Sequence, residues 1–194
     1  KELTAGKKYT MTETLPADGY VTAESITFTV EDTSEVQKVE MKDDVPIGRI
    51  IINKKGEFLS EVSWNDMVAG AMDSIWGYVT GSLKDVTFEI YAREDIKAAD
   101  GESDDYYKKD ELVATIKTDE LGIARTDDLP LGKYYVVEKE TADGFVLDGE
   151  PRDIDLTYRD QNTPVVTYDE DWQNNRQKAE VEVVKKEKDS DCVL

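Results

Sequence analysis

The chain has 194 residues, with 24 Lys and Arg against 44 Asp and Glu, a formal net charge of −20, no histidine and one cysteine. That charge repels phosphate backbones and argues against nucleic acid as a partner. The absent histidines and the lone Cys192 argue against zinc centres, histidine-based triads and a disulfide framework. The length allows one large or two small domains with modest cores.

In chain order, the first strand signal is Tyr9-Thr10-Met11-Thr12-Glu13, followed by a turn at Gly19-Tyr20. Ile26–Val30 and Val36–Met41 read as further short strands. Gly48–Lys54 opens a new alternating row, Ile50/Ile52/Lys54, in which the lysine is predicted to point inward with the isoleucines. Within 57–82, Trp64, Met67, Val68, Ala71 and Ile75 recur at helical spacing with Ser63 as a cap, which predicts a short amphipathic helix; an added strand from Ile75 to Val79 is the other reading. Leu83–Tyr91 reads as a strand, and 93–111 as a solvated acidic loop without calcium-loop spacing, so no metal is expected there. Tyr134-Tyr135-Val136-Val137-Glu138 then repeats the first pattern, with Gly144-Phe145 as its turn. Finally Ala179–Lys185 repeats the lysine row as Val181/Val183/Lys185.

Two recurrences carry the argument. Glu13 and Glu138 each sit at the end of an apolar, inward-looking row, where an unpaired carboxylate costs several kcal/mol. Asp43 precedes Lys54 by eleven positions, and Asn174 precedes Lys185 by eleven. Lysine, glutamate and a carboxyl or carboxamide therefore recur in one order, all predicted to face a core.

At these residues the sequence resembles the CnaB-type repeats, also called SpaA-type pilin repeats, of Gram-positive surface proteins. Tyr9 to Tyr20 matches most of their Tyr-x-Leu-x-Glu-x-x-Ala-Pro-x-Gly-Tyr signature, and Tyr134 to Phe145 matches it more loosely. Leu83–Tyr91 and Asn174–Lys178 are also similar to the family, and the resemblance spans nearly all of the chain outside 57–82. It implies an all-β fold of antiparallel, prealbumin-like (inverse Ig-like) sandwiches in tandem. Residues 1–47 would be the back of one repeat, 48–178 a complete repeat with insertions at 57–82 and 93–111, and 179–194 the first strand of a third, the whole being a piece of a longer protein.

The resemblance further implies a self-formed isopeptide bond. Lys54 would be the nucleophile, Asn174 the acceptor and Glu138 the proton shuttle of the complete repeat. Glu13 and Asp43, or the adjacent Asp44, would play those parts in the first, and Lys185 would be the nucleophile of the third. Desolvation lowers a lysine pKa and frees its amine for attack, and folding supplies the proximity. This is single-turnover self-modification without a cofactor, not enzymology. The expected setting is the stalk of a cell-wall-anchored adhesin or pilin-like protein outside a Gram-positive cell, with neighbouring repeats as partners. The 179–194 strand is expected to complement the open edge of the first repeat within or between molecules. The rival reading is an adhesin module that grips a host or matrix component through Trp64 and Trp76. A hydrolase is third, since nothing in the sequence fixes two carboxylates in a cleft.

Overall fold

The computed structural model describes residues 3–64, 74–179, 184–185 and 188. Two short strands, β1 (Lys8–Met11) and β2 (Ile26–Thr29), pair antiparallel near the start. The remaining strands build one sandwich. Its longest is β3 (Ile47–Trp64), followed by β4 (Ser74–Ser82), β5 (Thr87–Ala92), β6 (Leu112–Lys117), β7 (Ile123–Arg125), β8 (Leu129–Pro130), β9 (Gly132–Glu140), β10 (Arg152–Leu156) and β11 (Val165–Asn174). One sheet runs β10-β9-β5-β6; the other is centred on β3, with β11 on one side and β8, β7 and β4 in turn along the other. The fold is all-β, and among the described residues there is no helix.

Period-two patterning explains why these strands form and which way they face. Along β3, Gly48, Ile50, Ile52, Lys54 and Gly56 are buried while the intervening residues are not. Phe88, Ile90 and Ala92 face them from β5, and Tyr134, Val136 and Glu138 from β9. The core closes with Ile154, Leu156, Val166 and Trp172. Phe88 and Trp172 meet edge to face at 5.4 Å.

All described strand pairs are antiparallel except one. β11 lies parallel to β3, with Trp172 opposite Lys54 and Asn174 opposite Gly56. A parallel pair needs a long crossover; here the crossover is the rest of the sandwich.

Two sequence expectations are corrected and a third is refined. The 57–82 insertion does not start or end as a helix: β3 runs on to Trp64 and pairs with β4 as an antiparallel ribbon, so Trp64 and Ile75 are strand residues. Strand propensity in Ile75, Trp76, Tyr78, Val79 and Thr80 prevails over the helical spacing. Met67, Val68 and Ala71 lie outside the described residues. The 93–111 loop is exposed along most of its length, as expected, but it is anchored at one point: Ile96 and Ala98 are buried and Ile96 bridges to Tyr107. Val36–Met41 forms no strand; the Gln37 side chain instead accepts from the Glu31 amide and donates to the Thr29 carbonyl.

The first unit touches the sandwich through the chain itself and its flanks. The Thr22 amide donates to the Gln161 carbonyl at 2.9 Å, and the Tyr158 hydroxyl donates to the Tyr20 carbonyl at 3.3 Å. Beside this joint is a mainly apolar cavity of about 350 Å³ lined by Val45, Pro46, Tyr106, Leu131 and Tyr158.

Gly122 fixes the backbone at the middle of β3. It sits in the turn before β7 at φ +75°, and its carbonyl accepts the Lys54 amide at 2.7 Å. A Cβ there would stand 2.5 Å from the Lys54 carbonyl oxygen. Gly122→Ala therefore meets both a left-handed backbone and a clash with main chain. It is expected to destabilise the fold by about 1 to 3 kcal/mol, read as a lower denaturation midpoint; an unchanged midpoint would refute this.

Candidate functional site: a buried lysine, glutamate and asparagine

β3, β9 and β11 bring three polar side chains together inside the sandwich. Lys54, Glu138 and Asn174 are each 1% exposed, in a row otherwise made of isoleucine, valine and aromatic rings. Lys54 Nζ donates to Glu138 Oε2 at 2.6 Å and to Asn174 Oδ1 at 2.7 Å. Asn174 Nδ2 donates to Glu138 Oε1 and, at 2.8 Å, to Thr141 Oγ1. Each polar atom of the three side chains thus has a partner, the condition under which buried polar groups persist.

The carboxylate bridges the two nitrogens. One oxygen meets the lysine amine and the other meets the amide nitrogen of Asn174. Phe88 and Trp172 wall the site, with ring centroids 5.6 and 5.9 Å from Nζ. On Trp172 the Arg152 guanidinium lies 4.3 Å from the ring centroid. Burial pushes the Lys54 ammonium below its ordinary pKa; the hydrogen bond and charge of Glu138 pull the other way without cancelling the shift.

Local structure explains the meeting. Lys54 continues the inward parity of Ile50 and Ile52, Glu138 that of Tyr134 and Val136, and Asn174 that of Trp172. The chain leaving Asn174 is clamped at once: the Val146 amide donates to the Asn175 carbonyl at 2.9 Å, and the Gln177 amide to the Gly144 carbonyl at 2.8 Å. Lys178 pairs with Glu57 at 3.1 Å and lies over the Tyr78 ring.

The first unit differs. β1 ends at Met11, so Glu13 lies beyond the strand; it is half-buried, and its Oε2 accepts the Ala23 amide at 2.8 Å. Asp43 is half-buried, Asp44 and Lys185 are exposed, and among the described residues no hydrogen bond or ion pair joins Glu13, Asp43 and Lys185. The side chains of Trp64 and Trp76 lie outside the described residues. Sequence reasoning did not single out Trp172 or Thr141. Parity from Asn174 would have found Trp172; Thr141 stands in the turn after β9, where no periodicity speaks.

The described residues hold no cluster of three or more metal-ligating side chains. The family described as SpaA, prealbumin-like fold domain, matches residues 78–172. No curated protein matches the chain. Similar solved structures include the TIE protein of Bacillus anthracis, at 22% identity and TM-score 0.48 over 88% of this chain and 25% of that one. They also include GBS52, the minor pilin of Streptococcus agalactiae, at 17% identity and TM-score 0.44 over 84% of this chain and 57% of that one. The major pilin SpaD of Corynebacterium diphtheriae is similar at 21% identity and TM-score 0.40, over 67% and 32% of the two chains. The chain thus spans between a quarter and somewhat over half of the length of these proteins. Across residues 78–172, which carry Glu138 and Trp172, the sandwich is that of the SpaA-type prealbumin-like repeats.

Proposed function

We propose that residues 48–178 are a shaft module of a Gram-positive cell-surface pilin-like or adhesin protein, closed by an amide between Lys54 Nζ and Asn174 Cγ. The observation that supports this is the buried triangle of amine, carboxylate and carboxamide spanning the first and last strands of the sandwich. In the reaction, Glu138 takes a proton from Lys54, the freed amine attacks Asn174 Cγ, and Glu138 returns a proton to Nδ2 as ammonia departs. The contact between amine and carboxamide supplies proximity, which for well-oriented partners is worth about 7 to 11 kcal/mol of barrier.

Tension gives the bond its use. β3 and β11 are adjacent and parallel, so a pull on the start of β3 and the end of β11 loads them in shear. The bond passes force across at Lys54 and shields the 120-residue separation between the partners, a contour of roughly 400 Å. By analogy with a disulfide closing such a loop, it adds about 4 to 5 kcal/mol through the unfolded state.

The same reading extends to the first unit, with Glu13 as shuttle and Asp43 as acceptor, the amine coming from another segment. The 179–194 segment, carrying Lys185, is our candidate for that role, within one molecule or between two. A ligand-binding role for the ribbon is the second reading. It is favoured by β4, which has no charged residue in its nine positions and exposes Tyr78 and Val79.

The intact mass of the denatured chain should be lower than its sequence mass by one ammonia, and that of Lys54→Ala should not; a full mass in the unsubstituted chain would sink the crosslink. Chain refolded from an unreacted state should close the bond faster as pH rises, since attack needs Lys54 as the neutral amine. Because burial depresses Lys54, the rise should level off below the ordinary lysine value of 10.5; a rate still climbing past that value contradicts the scheme. Among unbonded variants, Lys54→Met strands a buried carboxylate, whereas Lys54→Met/Glu138→Gln does not. The double variant should be the more stable in denaturant titration by about 3 kcal/mol, and a single variant as stable as the double would show that Glu138 carries no charge in the core.

A further inference from the structure

The departing nitrogen of the proposed reaction has a second partner. Asn174 Nδ2 donates to Thr141 Oγ1 at 2.8 Å as well as to Glu138. Thr141 follows the last residue of β9 and is half-buried, unlike the three residues of the triangle. It also lines a cavity of about 530 Å³ open to the surface, together with Phe58, Leu83, Ala142 and Phe145. The residue whose hydroxyl holds the buried amide thus also borders a space that reaches solvent. In the signature Tyr-x-Leu-x-Glu-x-x-Ala-Pro, the place three after the glutamate is alanine; here it is Thr141, and in the first unit it is Pro16. The hydroxyl is thus a feature of this site and not of the pattern.

We propose that Thr141 is a positioning residue for isopeptide formation, which orients the Asn174 carboxamide and gives the released ammonia its path to the adjoining cavity. An amide can present either end to Lys54. With one N–H held by Glu138 and the other by Thr141, the carbonyl oxygen is turned to Nζ and Cγ lies open to attack. The bond Nζ–Cγ forms and Cγ–Nδ2 breaks. One proton passes from Nζ through Glu138 to Nδ2, a second proton lost by Nζ stays on Glu138, and the last stays on the new amide. Ammonia carries off both hydrogens of the former carboxamide and the one delivered by Glu138. It departs from a nitrogen already hydrogen-bonded to Thr141, so the hydroxyl is its first acceptor on the way out.

This inference rests on the crosslinking reading, and the test separates the two. The full chain, with Thr141→Val, Thr141→Ser and no substitution, is refolded from the unreacted unfolded state, and ammonia loss is followed by mass. Thr141→Val should close the bond about 10-fold more slowly, the worth of one oriented hydrogen bond, while Thr141→Ser stays close to the unsubstituted rate. A purely structural hydroxyl would instead lower the denaturation midpoint of the Lys54→Met background without the difference in rate between valine and serine. Equal rates for the valine variant and the unsubstituted chain overturn the role of Thr141 and leave the crosslink standing, as does a serine variant as slow as valine. An unsubstituted chain that never loses ammonia overturns both. Should Thr141→Val fail to fold, the serine variant still decides, since it must react at close to the unsubstituted rate.

Discussion

An ammonium and a carboxylate in contact inside an apolar sandwich are the constraint around which the rest of this molecule is arranged. Taking such ions out of water costs several kcal/mol each, and their attraction offsets that only with near-complete hydrogen bonding. The fold meets the condition from four directions. Glu138 comes from the facing sheet, Asn174 from the neighbouring parallel strand, Thr141 from the turn after β9, and the Gly122 turn fixes the lysine backbone. Phe88 and Trp172 exclude water from the amine. The topology serves the same end, since a parallel neighbour for β3 is obtained only by carrying the chain round both sheets before β11 returns.

The two copies of the tyrosine-to-glutamate motif show what sequence likeness does not fix. Tyr134 is fully buried and its hydroxyl donates to the Pro130 carbonyl at 2.6 Å. Tyr9 is only half-buried; its hydroxyl accepts the Thr4 amide and its ring meets Phe28 at 6.3 Å. The difference lies in what covers each strand. β9 is roofed by the β3 sheet, whereas among the described residues β1 has β2 as its strand partner. A row of alternating apolar residues states which face is to be buried, and a second sheet must exist for the burial to happen.

Legibility followed the same line. Lys54 and Glu138 could be placed on inward rows because period-two alternation is a strong signal in long strands, whereas Asn174 was legible only through its recurrent spacing to a lysine and the family resemblance. The all-β architecture was legible from the same alternation. The ribbon was not, because Trp64, Met67, Val68, Ala71 and Ile75 fit a helical stripe as well as an apolar strand run, and spacing alone does not separate the two. Val36–Met41 looked like a strand, but a single Gln37 side chain bonding local backbone supplied what a ladder would have. Ile96 and Tyr107 were concealed by the acidic residues between them. Contacts made in turns, such as that of Thr141, depend on three-dimensional closure and leave no periodic trace.

The long reach of β3 beyond Lys54 has a topological consequence. Were Lys54 joined to Asn174 as proposed, everything between them would become a closed ring, and tension between the flanking segments would no longer need to run through it. Both insertions, the ribbon and the acidic loop, lie on that ring. A protease that cut either one would open the ring but leave the two flanking segments in one covalent piece, still linked through the side chains. These exposed segments would then be the ones whose scission does not sever the chain, and substitution or enlargement there would be free of the demands of tensile continuity.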